Sequence, residues 1–152
     1  MKNILFLFLL TSLTAFSQKE NYNLKKGFVA EGYDVVAYFS NKALKGDKKY
    51  ATEFDGVKFK FSSQKNLDIF NKNPKKYVPA YGGYCAYAVG VKGEKVSINP
   101  KTFEIRENKL YLFYNSWGIN TLELWKKEGA EDLKQKADSN WAKIKIIENT
   151  NN

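Results

Sequence analysis

Asp55-Gly56 stands between two alternating runs, Tyr50-Ala51-Thr52-Glu53-Phe54 before it and Val57-Lys58-Phe59-Lys60-Phe61 after it. No other feature constrains the fold of this chain as strongly. A two-residue hairpin turn that matches the twist of its strands needs positive φ at both central residues, and Asp-Gly is one of the few dipeptides that supplies it. The turn sets the register, and the register sets the faces. Tyr50, Thr52, Phe54, Val57, Phe59 and Phe61 then share one side of the hairpin, with Lys58 and Lys60 on the other. A lone hairpin is marginal in water, so further elements must cover the aromatic face. The next residues provide one. Ser62 or Ser63 caps a helix from Gln64 to about Lys72, with Leu67 and Phe70, and Ile69 beside them, as its apolar stripe. Asn73-Pro74 ends that helix, and Pro74 can open a further helical turn through Tyr77.

Outside this unit the pattern predicts several more elements. Glu31-Gly32-Tyr33-Asp34 reads as a loop, and Val35-Val36-Ala37-Tyr38-Phe39 as a short buried strand. Gly90 and Gly93 mark a loop, Lys95 to Ile98 a short strand, and Asn99-Pro100 a turn. Phe103-Glu104-Ile105-Arg106 and Lys109-Leu110-Tyr111-Leu112-Phe113 predict a second hairpin around Glu107-Asn108. Ser116 reads as the N-cap of a helix to about Glu128, with Ile119, Leu122 and Trp125 inward and Gly129 closing it. A last helix runs from Ala130 to about Ile144, with Leu133, Ala137, Trp141 and Ile144 at helical spacing. Asn149 to Asn152 reads as a frayed polar tail. The fold class expected is α+β: two antiparallel β-hairpins with a short helix, and two C-terminal helices closing the core.

The first residues follow a different logic. Lys2, the apolar run Ile4 to Leu10 and the small residues of Ala15-Phe16-Ser17 predict a signal peptide over 1–17, cut before Gln18. The expected location is therefore the periplasm or the cell exterior. A single domain is expected over 18–152, of 135 residues (152 minus 17). The cut removes Met1, the only methionine, and Lys2, which lowers the net charge from +9 to +8. No later segment approaches the ~20 apolar residues of a membrane span, so no transmembrane anchor is expected. The lysines are scattered, often as pairs such as Lys25-Lys26 and Lys75-Lys76, which describes a solvated surface and not a nucleic-acid stripe. Nucleic acid is not an expected partner.

The chemistry concentrates in Pro79-Ala80-Tyr81-Gly82-Gly83-Tyr84-Cys85-Ala86-Tyr87-Ala88, which holds the only cysteine. Adjacent glycines allow positive φ and close approach of other groups, and consecutive N–H groups in such a turn can cradle an anion. A helix starting near Tyr84 would favour a Cys85 thiolate through its dipole. The alternative is that Cys85 is a small buried hydrophobe and the tyrosines are packing. The sequence has no histidine, which removes Ser-His and Cys-His nucleophile pairs, and it carries no phosphate-cradling loop. An enzyme is not expected.

Gly32-Tyr33-Asp34-Val35-Val36-Ala37-Tyr38-Phe39, Phe61-Ser62-Ser63, Asn73-Pro74-x-Lys76-Tyr77, the Tyr81 to Ala88 stretch and Ala137-Asp138-x-Asn140-Trp141 together resemble exported bacterial proteins carrying a YHS domain. The resemblance covers nearly all of 18–152, with the YHS unit at about 48–90. It implies a treble-clef-like unit and a role in binding or handling a metal, with copper or another soft metal as the implied cofactor. Cys85 is the implied metal ligand. Asp34, Tyr38, Tyr81, Gly82, Gly83, Tyr84 and Tyr87, which lie in the shared motifs, are the implied ligand-binding positions. Metal-binding relatives usually offer two cysteines, whereas this chain offers one. Copper(I) and zinc take several soft or imidazole ligands. A homodimer that brings two copies of Cys85 together would supply a second sulfur. Two readings follow: a non-catalytic exported protein that handles metal through Cys85, or a small-molecule or protein-interaction module in which Cys85 is structural.

Overall fold

The computed structural model describes residues 19–150, so the expected signal peptide over 1–17 lies outside the described residues. Two short strands, β1 (Leu24–Lys25) and β2 (Phe28–Val29), lead into a sheet completed by β3 (Asp47–Phe54) and β4 (Val57–Phe61), in the order β1-β2-β4-β3. β3 and β4 form the expected hairpin, with Phe54 opposite Val57 and Thr52 opposite Phe59. Asp55 (φ 56°) and Gly56 (φ 74°) both take the left-handed conformation that the turn requires. Val57, Phe59 and Phe61 are buried and Lys58 is exposed, as the alternation demands. Phe54, beside the turn, is only half-buried.

Helix α1 (Gln64–Lys72) covers that face. Ser63 is its cap, its Oγ accepting the Asn66 N–H at 3.2 Å. The fully buried Phe70 stacks against the hairpin aromatics, with ring centroids 4.8 Å from Phe59 and 5.0 Å from Phe61. α2 (Pro74–Tyr77) follows with proline in its first turn. α3 (Ala86–Lys92) comes next, then the second hairpin of β5 (Asn99–Arg106) and β6 (Lys109–Phe113), turned at Glu107 (φ 48°) and Asn108 (φ 59°). β7 (Asn115–Ser116) and β8 (Ile119–Asn120) make a further, very short hairpin. α4 (Thr121–Glu128) and α5 (Ala130–Thr150) close the chain. The α+β class and both C-terminal helices are as expected.

Several local expectations are corrected. Val35 to Phe39 is buried but is not a strand; Ala37–Ser40 is a 3-10 helix. Asp34 causes the bend, because its Oδ1 accepts the N–H groups of Val36 at 2.9 Å and Ala37 at 3.1 Å and so turns the backbone out of an extended path. Lys95 to Ile98 forms no strand either, and Asn99-Pro100 begins β5 instead of a turn. Ser116 is not a helix cap. Trp117 (φ 52°) and Gly118 (φ 76°) turn β7 into β8, and Asn120 caps α4 by accepting the Leu122 N–H at 3.1 Å. Ile119, expected inward on a helix, is consequently 52% exposed. Finally, α5 runs beyond Ile144 to Thr150, with Glu148 held by the Lys95 ammonium, so the expected frayed tail is helical at Asn149 and Thr150.

β6 is the wall between two cores. Leu110 and Leu112 face one cluster with Val29, Tyr38, Phe59, Phe61 and Phe70. Tyr111 and Phe113 face the other, with Val89, Trp125, Leu133 and Ala137 from the helices. Burial on both sides accounts for a strand that is apolar at four consecutive positions.

Candidate functional site

Ala80–Gly83 is a tight turn in which Tyr81 (φ 53°) and Gly82 (φ 60°) are both left-handed. Gly82 is required here by close approach as well as by φ: a Cβ at this position would sit 1.7 Å from the Asn21 carbonyl oxygen. The Asn23 N–H donates to the Gly82 carbonyl at 2.9 Å, and the Asn23 side-chain amide to the Gly83 carbonyl at 3.1 Å, so the entering chain clamps the turn. Tyr81 has no such exemption, and a non-glycine residue in this region carries roughly 1–2 kcal/mol of strain. Tertiary contacts hold it there. Its hydroxyl donates to Asp138 Oδ1 at 2.8 Å, and its ring lies 5.9 Å from Tyr111 and 6.0 Å from Trp141, centroid to centroid.

This strained turn forms one wall of a cleft of about 650 Å³. The hairpin turn contributes Asp55, the start of the described chain Tyr22, β6 Lys109 and Tyr111, and α5 Asp138, Trp141 and Lys145. Each carboxylate in the cleft receives a phenol: Tyr22 donates to Asp55 Oδ2 at 2.9 Å, as Tyr81 does to Asp138. Burial first, and then the adjacent carboxylate, pushes both phenols well above their ordinary value. Burial alone pulls the Lys109 ammonium below 10.5.

The other predicted site residues lie elsewhere. Asp34 is fully buried, and its two oxygens are already occupied: besides Val36 and Ala37, Oδ2 accepts from Ser62 N at 2.8 Å, Ser62 Oγ at 2.6 Å and Asn66 Nδ2 at 2.7 Å. Five donors exceed the roughly four lone-pair positions of a carboxylate, which leaves none for a metal or ligand. Tyr38 is buried beneath β5, donating to the Pro100 carbonyl at 2.6 Å. Gly83 sits beside Pro79 and Leu112 on the core side of the turn. Tyr84 packs on Trp141 with centroids 6.1 Å apart, under the Lys95 ammonium. Tyr87 links α3 to α4 through Glu128, at 3.0 and 3.1 Å. Only Tyr81 and Gly82 of the predicted set line the cleft.

Cys85 does precede a helix, as the N-cap position of α3, and is 0% exposed. Its Sγ accepts the Tyr114 N–H at 3.3 Å and lies 3.3 Å from Thr121 Oγ1. Its backbone N–H donates to the Val96 carbonyl at 2.9 Å. The sulfur is thus part of the joint between α3, β6 and the start of α4. Among the described residues no group of three or more Cys, Asp or Glu side chains could hold a metal ion, so the donor set does not fit copper or zinc.

Sequence reasoning missed Lys109, Tyr111, Asp55 and Tyr22 as site residues. The signal for the α5 wall was present in Ala137-Asp138-x-Asn140-Trp141. Asp138 fixes Tyr81, Asn140 caps α3 by donating to the carbonyls of Val89 at 2.9 Å and Gly90 at 3.3 Å, and Trp141 packs between Tyr81 and Tyr84. Those residues staple α5 to the Tyr81 turn.

Residues 35–81 match the YHS domain family. The chain therefore contains a YHS domain that begins at the buried Val35, takes in the first hairpin, α1 and α2, and ends at Tyr81 in the cleft wall; Cys85 falls beyond its last residue. No curated protein and no solved structure matches the chain.

Proposed function

We propose that this protein is an exported, non-catalytic binding domain whose ligand site is the cleft at Tyr81, with Cys85 serving the core. The cleft carries the reading. Its volume of about 650 Å³ falls within the range of small-molecule sites, and it joins apolar rings to a few convergent polar groups. Tyr81 stores backbone strain in its wall, which is where functional sites concentrate strained residues. The two carboxylates in the cleft accept from phenols, and the chain supplies no imidazole to move a proton. Handling of copper or another soft metal through Cys85 is disfavoured by the donor set. A homodimer bridged by two Cys85 sulfurs would need Sγ at the surface, and it is fully buried.

Mapping the amide shifts of the protein against a library of small fragments tests the site. Binders should perturb Gly82, Tyr111 and Trp141 together. Binders that cluster elsewhere would overturn the assignment. So would stoichiometric copper in natively purified protein that disappears in Cys85→Ser. Export rests on the apolar run at Ile4 to Leu10 and on Ala15-Phe16-Ser17. Intact mass should show a chain beginning at Gln18, and full-length protein confined to the cytoplasm would refute it.

A further inference from the structure

We infer that the cleft takes a small organic monoanion of the carboxylate type, with its charged group on Lys109 Nζ and a flat apolar body against Tyr111 and Trp141. This rests on the cleft being the ligand site. Lys109 opens β6 directly after the Glu107-Asn108 turn. Strand alternation puts it on the same face as Tyr111, so its stem runs along the cleft wall.

The charges around it show what is missing. Arg106, opposite Lys109 in the ladder, has a carboxylate: its Nε lies 3.0 Å from Glu104. Lys134 is 3.0 Å from Glu107, in the turn between them. Lys109 has no carboxylate or other acceptor among the described residues, although it is half-buried. The displacement of its titration has burial as its only cause. Asp55 and Asp138, the carboxylates of the cleft, form no ion pair with it; they accept from the phenols of Tyr22 and Tyr81 instead. A partly desolvated ammonium without an acceptor is a cost to the free protein, and an incoming anion removes it with a charge-assisted hydrogen bond.

The remaining charges limit the ligand. Lys145 adds a second cation to the cleft lining, and Asp55 and Asp138 add two negative charges. A polyanion would meet both carboxylates, whereas a single carboxylate reaches Lys109 with less repulsion. Tyr111 and Trp141 offer ring surface in the same cleft, which suits a flat apolar body.

Benzoate, neutral benzamide of the same shape and inorganic phosphate test this on the purified protein, with the Lys109 side chain followed by its carbon resonances as pH is varied. Benzoate should raise the Lys109 titration point and perturb Tyr111 and Trp141, whereas benzamide should leave the titration unmoved. Lys109→Met, which keeps the packing of the stem, should weaken benzoate by about tenfold or more. The wild-type titration stands on its own if that variant folds poorly. Equal affinity for benzoate and benzamide, both mapping to the cleft, would overturn the anion assignment and leave the cleft intact. Phosphate binding as tightly as benzoate would overturn the choice of a monoanion. Benzoate perturbing only residues outside the cleft would overturn the proposal, and the fragment map decides separately whether the cleft is a site at all.

Discussion

Asp34 is a fully buried carboxylate satisfied by hydrogen bonds alone, with Val36 and Ala37 on one oxygen and Ser62 and Asn66 on the other. It fixes the 3-10 helix of Ala37–Ser40 against the end of β4 and the start of α1, so it acts as a post immediately before the first residue of the YHS match. Hydrogen bonds to an ionised group contribute about 1.5–3 kcal/mol each, and bonds sharing one carboxylate do not add. Asp34→Ala should therefore cost about 3–5 kcal/mol in urea unfolding, because it strands several buried donors at once. Asp34→Asn, which keeps one acceptor oxygen, should cost less. Stability unchanged to within about 0.5 kcal/mol in Asp34→Ala would mean the carboxylate is kept for a ligand instead. Cys85 is a similar case. Its Sγ is enclosed and hydrogen-bonded, so an alkylating reagent should label it only at the rate of unfolding, in dilute denaturant as well as in buffer. Rapid labelling of the native protein would reinstate it as a reactive thiol.

Among the elements, the first hairpin is the one whose sequence signals all agree, and it allows a direct test of register. Phe59 is buried against Phe70, and Lys58 on the neighbouring position is exposed. Phe59→Ala should cost about 3–5 kcal/mol. Lys58→Ala should stay within about 0.5 kcal/mol. Comparable losses from both would show that the faces are exchanged. This hairpin, α1, α2 and the second hairpin were legible because local chemistry decides them: turn dipeptides, the Ser63 cap, Pro74. The misread elements were decided by side chains acting over a few residues or by distant partners. The apolar run at Val35 looks like a strand until Asp34 captures its N–H groups. Ser116 looks like a cap until the Trp117-Gly118 turn pairs it with Ile119. Asn149 and Thr150 look like a tail until Lys95, more than fifty positions back, holds the end of α5.

On the scale of the whole molecule, the candidate site arises where separate parts of the fold converge. A turn at Tyr81, a strand start at Lys109 and a helix face at Asp138 meet only after β6 has been placed between the two cores. Tyr81 and Gly82 stood out in sequence by their motif. Lys109 did not, because its environment is set by tertiary packing and one lysine among scattered lysines carries no local signal. That convergence buries phenols, and it predicts how the protein fails in alkali. Tyr22 and Tyr81 are raised above 10.0 chiefly by burial and then by Asp55 and Asp138. Tyr38 is raised by burial and then by Tyr33, Glu31 and Asp34. A group whose folded value lies above its unfolded one stabilises fully below the unfolded value and loses that contribution as pH rises past it. For these phenols the loss begins near pH 10. Lys109 acts in the opposite sense: its folded value lies below 10.5, so its penalty fades as pH climbs to 10.5 and it contributes no further change above. Three phenols outweigh one ammonium, and beyond pH 10.5 the phenols act without that opposition. Stability should hold to about pH 10 and fall steeply above it. In a pH titration followed by tyrosinate absorbance and near-ultraviolet circular dichroism, the less buried phenols should ionise first and reversibly. Tyr22, Tyr38 and Tyr81 should ionise only as the circular dichroism of the packed aromatics collapses. If all 10 tyrosines ionise in one transition near pH 10 with the dichroism intact, the phenols are not buried as described, and the Tyr81 wall of the cleft goes with them.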